Sequence, residues 1–172
     1  TLVDALEDDY PDVRIAALKT LPSFSLRRQG ILFHCLSDRL QDDEDSVREE
    51  AMTCLKKVAP LFPSGCEEIL RRELRDSRKD HRGNAFEALK LASKDWPEVG
   101  CLHLDELIRE EEDDLRIRGS LILRTIASRG GAEAWDLIGW SLQDEEVRVR
   151  RNASKTLTIL ADVEPRVAVI LV

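Results

Sequence analysis

Aromatic side chains make up only 5% of this sequence, and its 172 residues include one Met, eight Gly and six Pro. So few rings leave Leu, Ile, Val and Ala to fill the core, and so little Gly and Pro argues against a sheet-rich or disordered chain. Four cysteines, Cys35, Cys54, Cys66 and Cys101, include no CxxC pair. That excludes the usual zinc and dithiol motifs and predicts buried thiols in a reducing compartment. Of the three histidines, His34, His81 and His103, none is followed by Glu, and His81 has no second His or Cys at metal spacing, so no metal and no cofactor is expected. No apolar run approaches the roughly 18 residues of a membrane span. An excess of positive charge is missing too: 26 Lys and Arg against 34 Asp and Glu give a net charge of −8, which opposes unaided binding to a phosphate backbone. The expectation is a soluble protein of the cytoplasm or nucleus with no membrane partner.

What is present is a phrase that recurs without insertion. Its copies begin at 13, 47, 81, 115 and 149, a period of 34, with Val13-Arg14, Val47-Arg48, His81-Arg82, Leu115-Arg116 and Val149-Arg150. Four residues after each start stand Ala17, Ala51, Ala85, Gly119 and Ala153, and eight after stand Leu21, Leu55, Leu89, Leu123 and Leu157. Such a period marks stacked supersecondary units, each burying its apolar face against its neighbours.

The second copy shows how a unit is built. Ile31, Leu32, Cys35, Leu36 and Leu40 fall at helical spacing, a polar turn follows at 41–45, and Val47, Ala51, Met52, Leu55 and Val58 resume the period. This predicts a helical hairpin. Ser46 with Glu49 has the form of a capping box, and Asp12, Asp80 and Asp114 share its column, which predicts second helices starting there. The fifth copy puts Arg148 in that column, after Asp144, Glu145, Glu146 and apolar Val147, so its second helix is expected to begin earlier and run longer. Pro63, Pro97 and Pro165 share a column suited to the first turn of a first helix. The small residue of the Ala17 column lets two helices approach closely. His81 is expected to be a partly buried helix-start residue. The repeats are expected at 1–28, 29–62, 63–96, 97–130 and 131–164 within a single domain, with 165–172 starting a further helix. Thr1 and Val172 align with Cys35 and Leu36, inside a first helix. A portion of a longer array is therefore expected, or a protomer that self-associates through uncapped ends.

The pattern Leu-x-Asp-x-x-x-x-Val-Arg-x-x-Ala-x-x-x-Leu, read at Leu6-Asp8-Val13-Arg14-Ala17-Leu21 and at Leu40-Asp42-Val47-Arg48-Ala51-Leu55, resembles the HEAT repeat. The likeness is greatest to the short HEAT-like form that includes the phycobilisome-lyase type. It implies an all-α fold, a right-handed α-solenoid of about five two-helix repeats. It also implies a ladder between repeats made by Asp8, Asp42, Asp76, Glu110 and Asp144 with Arg14, Arg48, Arg82, Arg116 and Arg150. HEAT-like hydroxylases carry His-Glu metal pairs, which this chain lacks. HEAT-like DNA glycosylases use a basic, aromatic-lined groove, which its acidity disfavours. No catalytic residue is therefore assigned, and the expected function is a non-catalytic scaffold or adaptor for a protein or peptide partner. The alternatives are an accessory nucleic-acid binder and a lyase accessory subunit.

If the second helices line a concave face, as the resemblance implies, the period places Asn84, Lys90, Arg118, Leu121, Arg124, Asn152 and Lys155 on it as candidate partner contacts. The turns between paired helices collect 17 of the 34 acidic residues, an edge that steers a basic partner. Among the tryptophans, Trp96 is expected to plug the space between repeats and Trp135 to lie in the core. Trp140 aligns with polar residues and is expected as an exposed contact.

Overall fold

The same period that spaces the phrase spaces the helix starts. In the computed structural model, which describes residues 1–23 and 29–166, second helices are α2 (Pro11–Thr20), α4 (Asp45–Val58), α6 (Lys79–Asp95), α8 (Asp113–Ser120) and α11 (Val147–Val163). Their first residues, 11, 45, 79, 113 and 147, are 34 apart. First helices are α1 (Leu2–Leu6), α3 (Gln29–Arg39), α5 (Pro63–Glu73), α7 (Pro97–Leu107) and α10 (Gly131–Leu142), with a short α9 (Leu123–Ile126) after α8. All these elements are helical, and no strand occurs among the described residues. The further helix expected from 165 lies mostly outside those residues.

The signal that starts each second helix is not the column read from the sequence. Ser46 sits inside the first turn of α4, whose N-cap Glu44 makes no side-chain cap hydrogen bond, so the Ser46–Glu49 capping box does not form. The turn aspartates act instead. Asp8, Asp42, Asp76 and Asp144 each accept the backbone N–H two residues on, from Tyr10 (2.9 Å), Glu44 (3.1 Å), Arg78 (2.8 Å) and Glu146 (2.8 Å). This side-chain turn fixes the residue just before the helix. Asp12, Asp45, Asp80 and Asp114 then lie in the first turn, where the helix dipole favours negative charge. The fifth copy follows the same rule. Its α11 begins in register with the others and, at 17 residues, equals α6, because Asp144 supplies the turn that Arg148 cannot.

The chain forms two compact units, residues 1–88 and 89–172. In the first, α1 packs on α3 and α3 on α5, while α2 packs on α4, giving a layer of first helices and a layer of second helices. In the second, α7 packs on α10, and α8 and α9 pack on α11. The repeated phrase supplies the seam: Ala51, Leu55, Ala85, Leu89, Leu123 and Ala153 are fully buried, and Ala17 and Leu21 nearly so. Gly119 shows why that column is small, since a Cβ there would stand 3.0 Å from Leu107 Cβ and 3.2 Å from Leu104 Cδ1. The glycine also weakens its helix. Leu121 and Ile122 donate to the carbonyls three residues back, Ser120 Oγ donates to the Ile117 carbonyl at 2.6 Å, and the second helix of this repeat is interrupted between α8 and α9.

The thiols of all four cysteines are free and buried. Burial pushes Cys54 and Cys66 up to about 12 and Cys101 up to about 11. Among the described residues no helix is long and apolar enough to cross a membrane.

Candidate functional site

The recurring arginine does one thing in all five copies. Its Nη1 donates to the two carbonyls that lie six and five residues earlier, at the turn of its own hairpin: Asp8 and Asp9 for Arg14 (2.7 and 3.2 Å), Asp42 and Asp43 for Arg48, Asp76 and Ser77 for Arg82 (2.9 and 3.4 Å). Glu110 and Glu111 serve Arg116 (2.9 and 3.0 Å), and Asp144 and Glu145 serve Arg150 (2.7 Å each). Carbonyls in a tight turn cannot all find backbone donors, and the planar fork of guanidinium satisfies two at once.

In the first and fourth copies the rest of the fork reaches the next repeat. Arg14 Nη2 meets Asp42 at 2.8 Å, and Arg116 Nε meets Asp144 at 3.1 Å. Arg116 also holds Asp113 (2.6 Å) and Glu145 (3.1 Å). Burial works against its charge, and these carboxylates outweigh that and raise its pKa. Asp76 is instead taken by Arg78, whose hydrogen bonds hold the carboxyl well below the usual range, while Arg48 pairs with Asp45 on its own helix.

His81 is buried more fully than expected, with Nδ1 3.3 Å from the Glu73 carboxylate. Glu73, Asp76 and His81 bring three potential ligand atoms within 4.8 Å of one another, a grouping the sequence did not suggest. Its carboxylates are already engaged. Glu73 accepts from Arg72 and Gln41, and Asp76 from Arg78, so a cation would have to displace two guanidinium groups. The cluster is an internal salt bridge network.

Of the residues assigned to the second-helix face, Asn84 lies in the first unit and accepts from Lys56 at 3.1 Å. The others belong to the second unit. Asn152 donates to the Ser120 hydroxyl at 2.9 Å, across α8 and α11, and Arg118 pairs with Asp114 at 2.9 Å. Both asparagines thus join neighbouring second helices. Lys90, Arg124 and Lys155 are exposed, and Leu121, at the interruption after α8, is 56% exposed.

Trp140 is 63% exposed at the end of α10, and Tyr10 is also exposed. Trp135 is only half-buried, its indole N–H donating to the Ala127 carbonyl at 3.3 Å. Trp96 is 42% exposed. In the corresponding position Phe62 packs edge-on against Phe33, ring centres 6.4 Å apart.

No family model and no curated protein matches this chain. Solved structures do resemble it. Mini spindles TOG3 of Drosophila melanogaster is 15% identical, with a TM-score of 0.72, over 99% of this chain and 84% of that one. An engineered protein is 18% identical over 93% of this chain and 78% of its own, TM-score 0.50. A computationally designed armadillo repeat protein for modular peptide recognition is 17% identical over 91% and 79%, TM-score 0.46. Together with the helical hairpins, the likeness to the TOG domain places the fold of this chain among the all-α, HEAT-like repeats of the α-solenoid class.

Proposed function

We propose that this chain is a non-catalytic scaffold whose five repeats act as one domain and hold a protein partner against the second-helix layer. The observation that carries the reading is Leu121. A leucine with 56% of its surface exposed, with exposed Arg124 three residues on and exposed Lys155 one period on, is an apolar side chain whose neighbouring register positions carry cations. That is the composition of a contact for an acidic, partly apolar segment. Lys90 and Arg118 extend the cationic lean along the same register, and the two asparagines supply amide groups beside it. The short HEAT-like family, the phycobilisome-lyase type included, is the family reading that the phrase favours.

The test is affinity purification with the native protein against a Leu121→Asp, Arg124→Glu variant whose circular dichroism is unchanged. Partners retained by the native protein and lost from the variant support the reading. An identical set of partners rejects it. Binding of DNA or RNA that falls steeply with salt and is lost in Lys90→Glu, Arg124→Glu would replace the protein partner with nucleic acid.

A further inference from the structure

Successive first helices end side by side, leaving a notch bordered by the two turns that follow them. In the first unit, the notch between α3 and α5 is filled from within. Arg72 donates to the Ser37 hydroxyl at 2.8 Å, to the Ser37 carbonyl at 3.0 Å and to Glu73 at 2.9 Å. Arg78 donates to Gln41 Oε1 at 3.0 Å while holding Asp76. Two guanidinium groups of the chain itself thus close the space.

Two periods further on, the same columns form the notch between α7 and α10 in the second unit. There Gln41 becomes Arg109, Arg72 becomes Trp140, Glu73 becomes Ser141 and Arg78 becomes Glu146. The guanidiniums that filled the notch are gone, and an indole stands in the place of one of them. What remains is a cavity of about 370 Å³ lined by Ile108, Arg109, Trp140, Ser141, Gln143 and Asp144. Ser141 is 1% exposed, and its hydroxyl has no hydrogen-bond partner among the described residues. A buried hydroxyl left that way costs stability unless something bonds it.

The charge around the cavity selects its occupant. Arg109 is already committed to Asp105 at 2.7 Å, and Asp144 is held by Arg116 and by the Glu146 N–H. The carboxyl ends of α7 and α10 both face the notch, and helix C-termini favour positive charge. Exposed Glu111, Asp113 and Glu145 stand on the turns that border it, the last two shared with Arg116, and favour the approach of a basic segment.

We infer that this notch receives an arginine side chain from a protein partner, its guanidinium stacked on Trp140 and donating to Ser141, as Arg72 and Arg78 fill the equivalent notch in the first unit. Arginine fits better than lysine because its planar group both stacks on an indole and donates in a fork. This surface is separate from the second-helix layer and does not depend on it.

The experiment is a titration of the whole chain, at low salt, with an acetylated and amidated Gly-Gly-Arg-Gly-Gly peptide and with its neutral citrulline counterpart. The indole N–H signals of the three tryptophans are followed by NMR and assigned through single Trp→Phe variants. The inference predicts that the Trp140 signal moves saturably at about millimolar peptide. Trp96 should stay still, citrulline should bind about tenfold or more weakly, and Trp140→Ala, which alters an exposed side chain, should abolish binding. Ser141→Ala should weaken binding severalfold, and Leu121→Asp with Arg124→Glu should leave it unchanged, which separates this surface from the proposed scaffold face. A Trp140 signal that does not move, a citrulline peptide that binds as well, or undiminished binding to a folded Trp140→Ala variant would overturn the inference.

Discussion

At the residue scale, the period turns single departures into controlled comparisons. Glu73 and His81 occupy columns that hold Leu107 and Leu115 one repeat later, and all four side chains are buried. A buried polar pair is costly to break and cheap to replace whole. Glu73→Leu alone leaves His81 without its acceptor, and His81→Leu alone leaves Glu73 with Arg72 and Gln41 only. Each single change should cost about 2–3 kcal/mol, and the double change, which still strips Arg72 and Gln41 of their acceptor, should cost less than the sum of the two by about 1 kcal/mol or more. Urea unfolding of the four proteins measures the cycle, and simple additivity of the two losses would contradict the pairing. The sequence announced His81 as odd in its column, but Glu73 passed unnoticed because a glutamate eight residues away in a different helix carries no local signal of contact.

At the element scale, the seam and the thiols make separate predictions. Leu89 is fully buried, so Leu89→Asp should lower the unfolding free energy by at least about 3 kcal/mol, because it leaves an unpaired carboxylate among apolar side chains. An unchanged thermal melt by circular dichroism would contradict its place in the seam. The thiols of Cys54, Cys66 and Cys101 lie above their ordinary value of 9.0, at about 12, 12 and 11. With a folded pKa above the unfolded one, the contribution of each thiol to stability is complete below about pH 9 and is lost as pH climbs toward the folded value. Stability should therefore fall from about pH 9 upward, less so in Cys54→Ala, Cys66→Val. Folded protein should resist thiol reagents that label unfolded chain quickly, and rapid labelling of the folded form would show the thiols to be accessible. Helix existence was legible here from periodicity alone, whereas helix starts were not. Serine and glutamate at 46 and 49 matched a local motif, but the aspartates at 8, 42, 76 and 144 reach the backbone first. The break after α8 was foreshadowed only by Gly119 beside Ser120, two weak helix formers whose joint effect depends on the tight approach of Leu107.

At the scale of the molecule, a repeat array separates what holds it together from what it displays. The phrase itself is spent inward: its leucine and alanine columns form the seam, and its arginine ties each turn. Partner recognition, as proposed above, falls to positions the phrase leaves unspecified, and Leu121 and Trp140 are two that break their columns and stand exposed. For the same reason the fold was readable from the sequence and the partner was not, since repetition records packing constraints and a binding surface is written in single departures from them. The notch at Trp140 is such a departure, since the same columns in the first unit hold Arg72 and Arg78.

If the recurring arginine clamps each turn and is no part of a binding surface, its removal must cost stability. This is tested most directly by the urea unfolding free energy of Arg116→Met compared with Arg118→Met. Arg116 is buried and joins two carbonyls to three carboxylates, while Arg118, two residues on, makes one half-exposed ion pair. A clamp predicts a loss of about 3 kcal/mol or more for the first and within about 1 kcal/mol of no change for the second. Equal and small losses in both would show that the hairpins stack without the clamp.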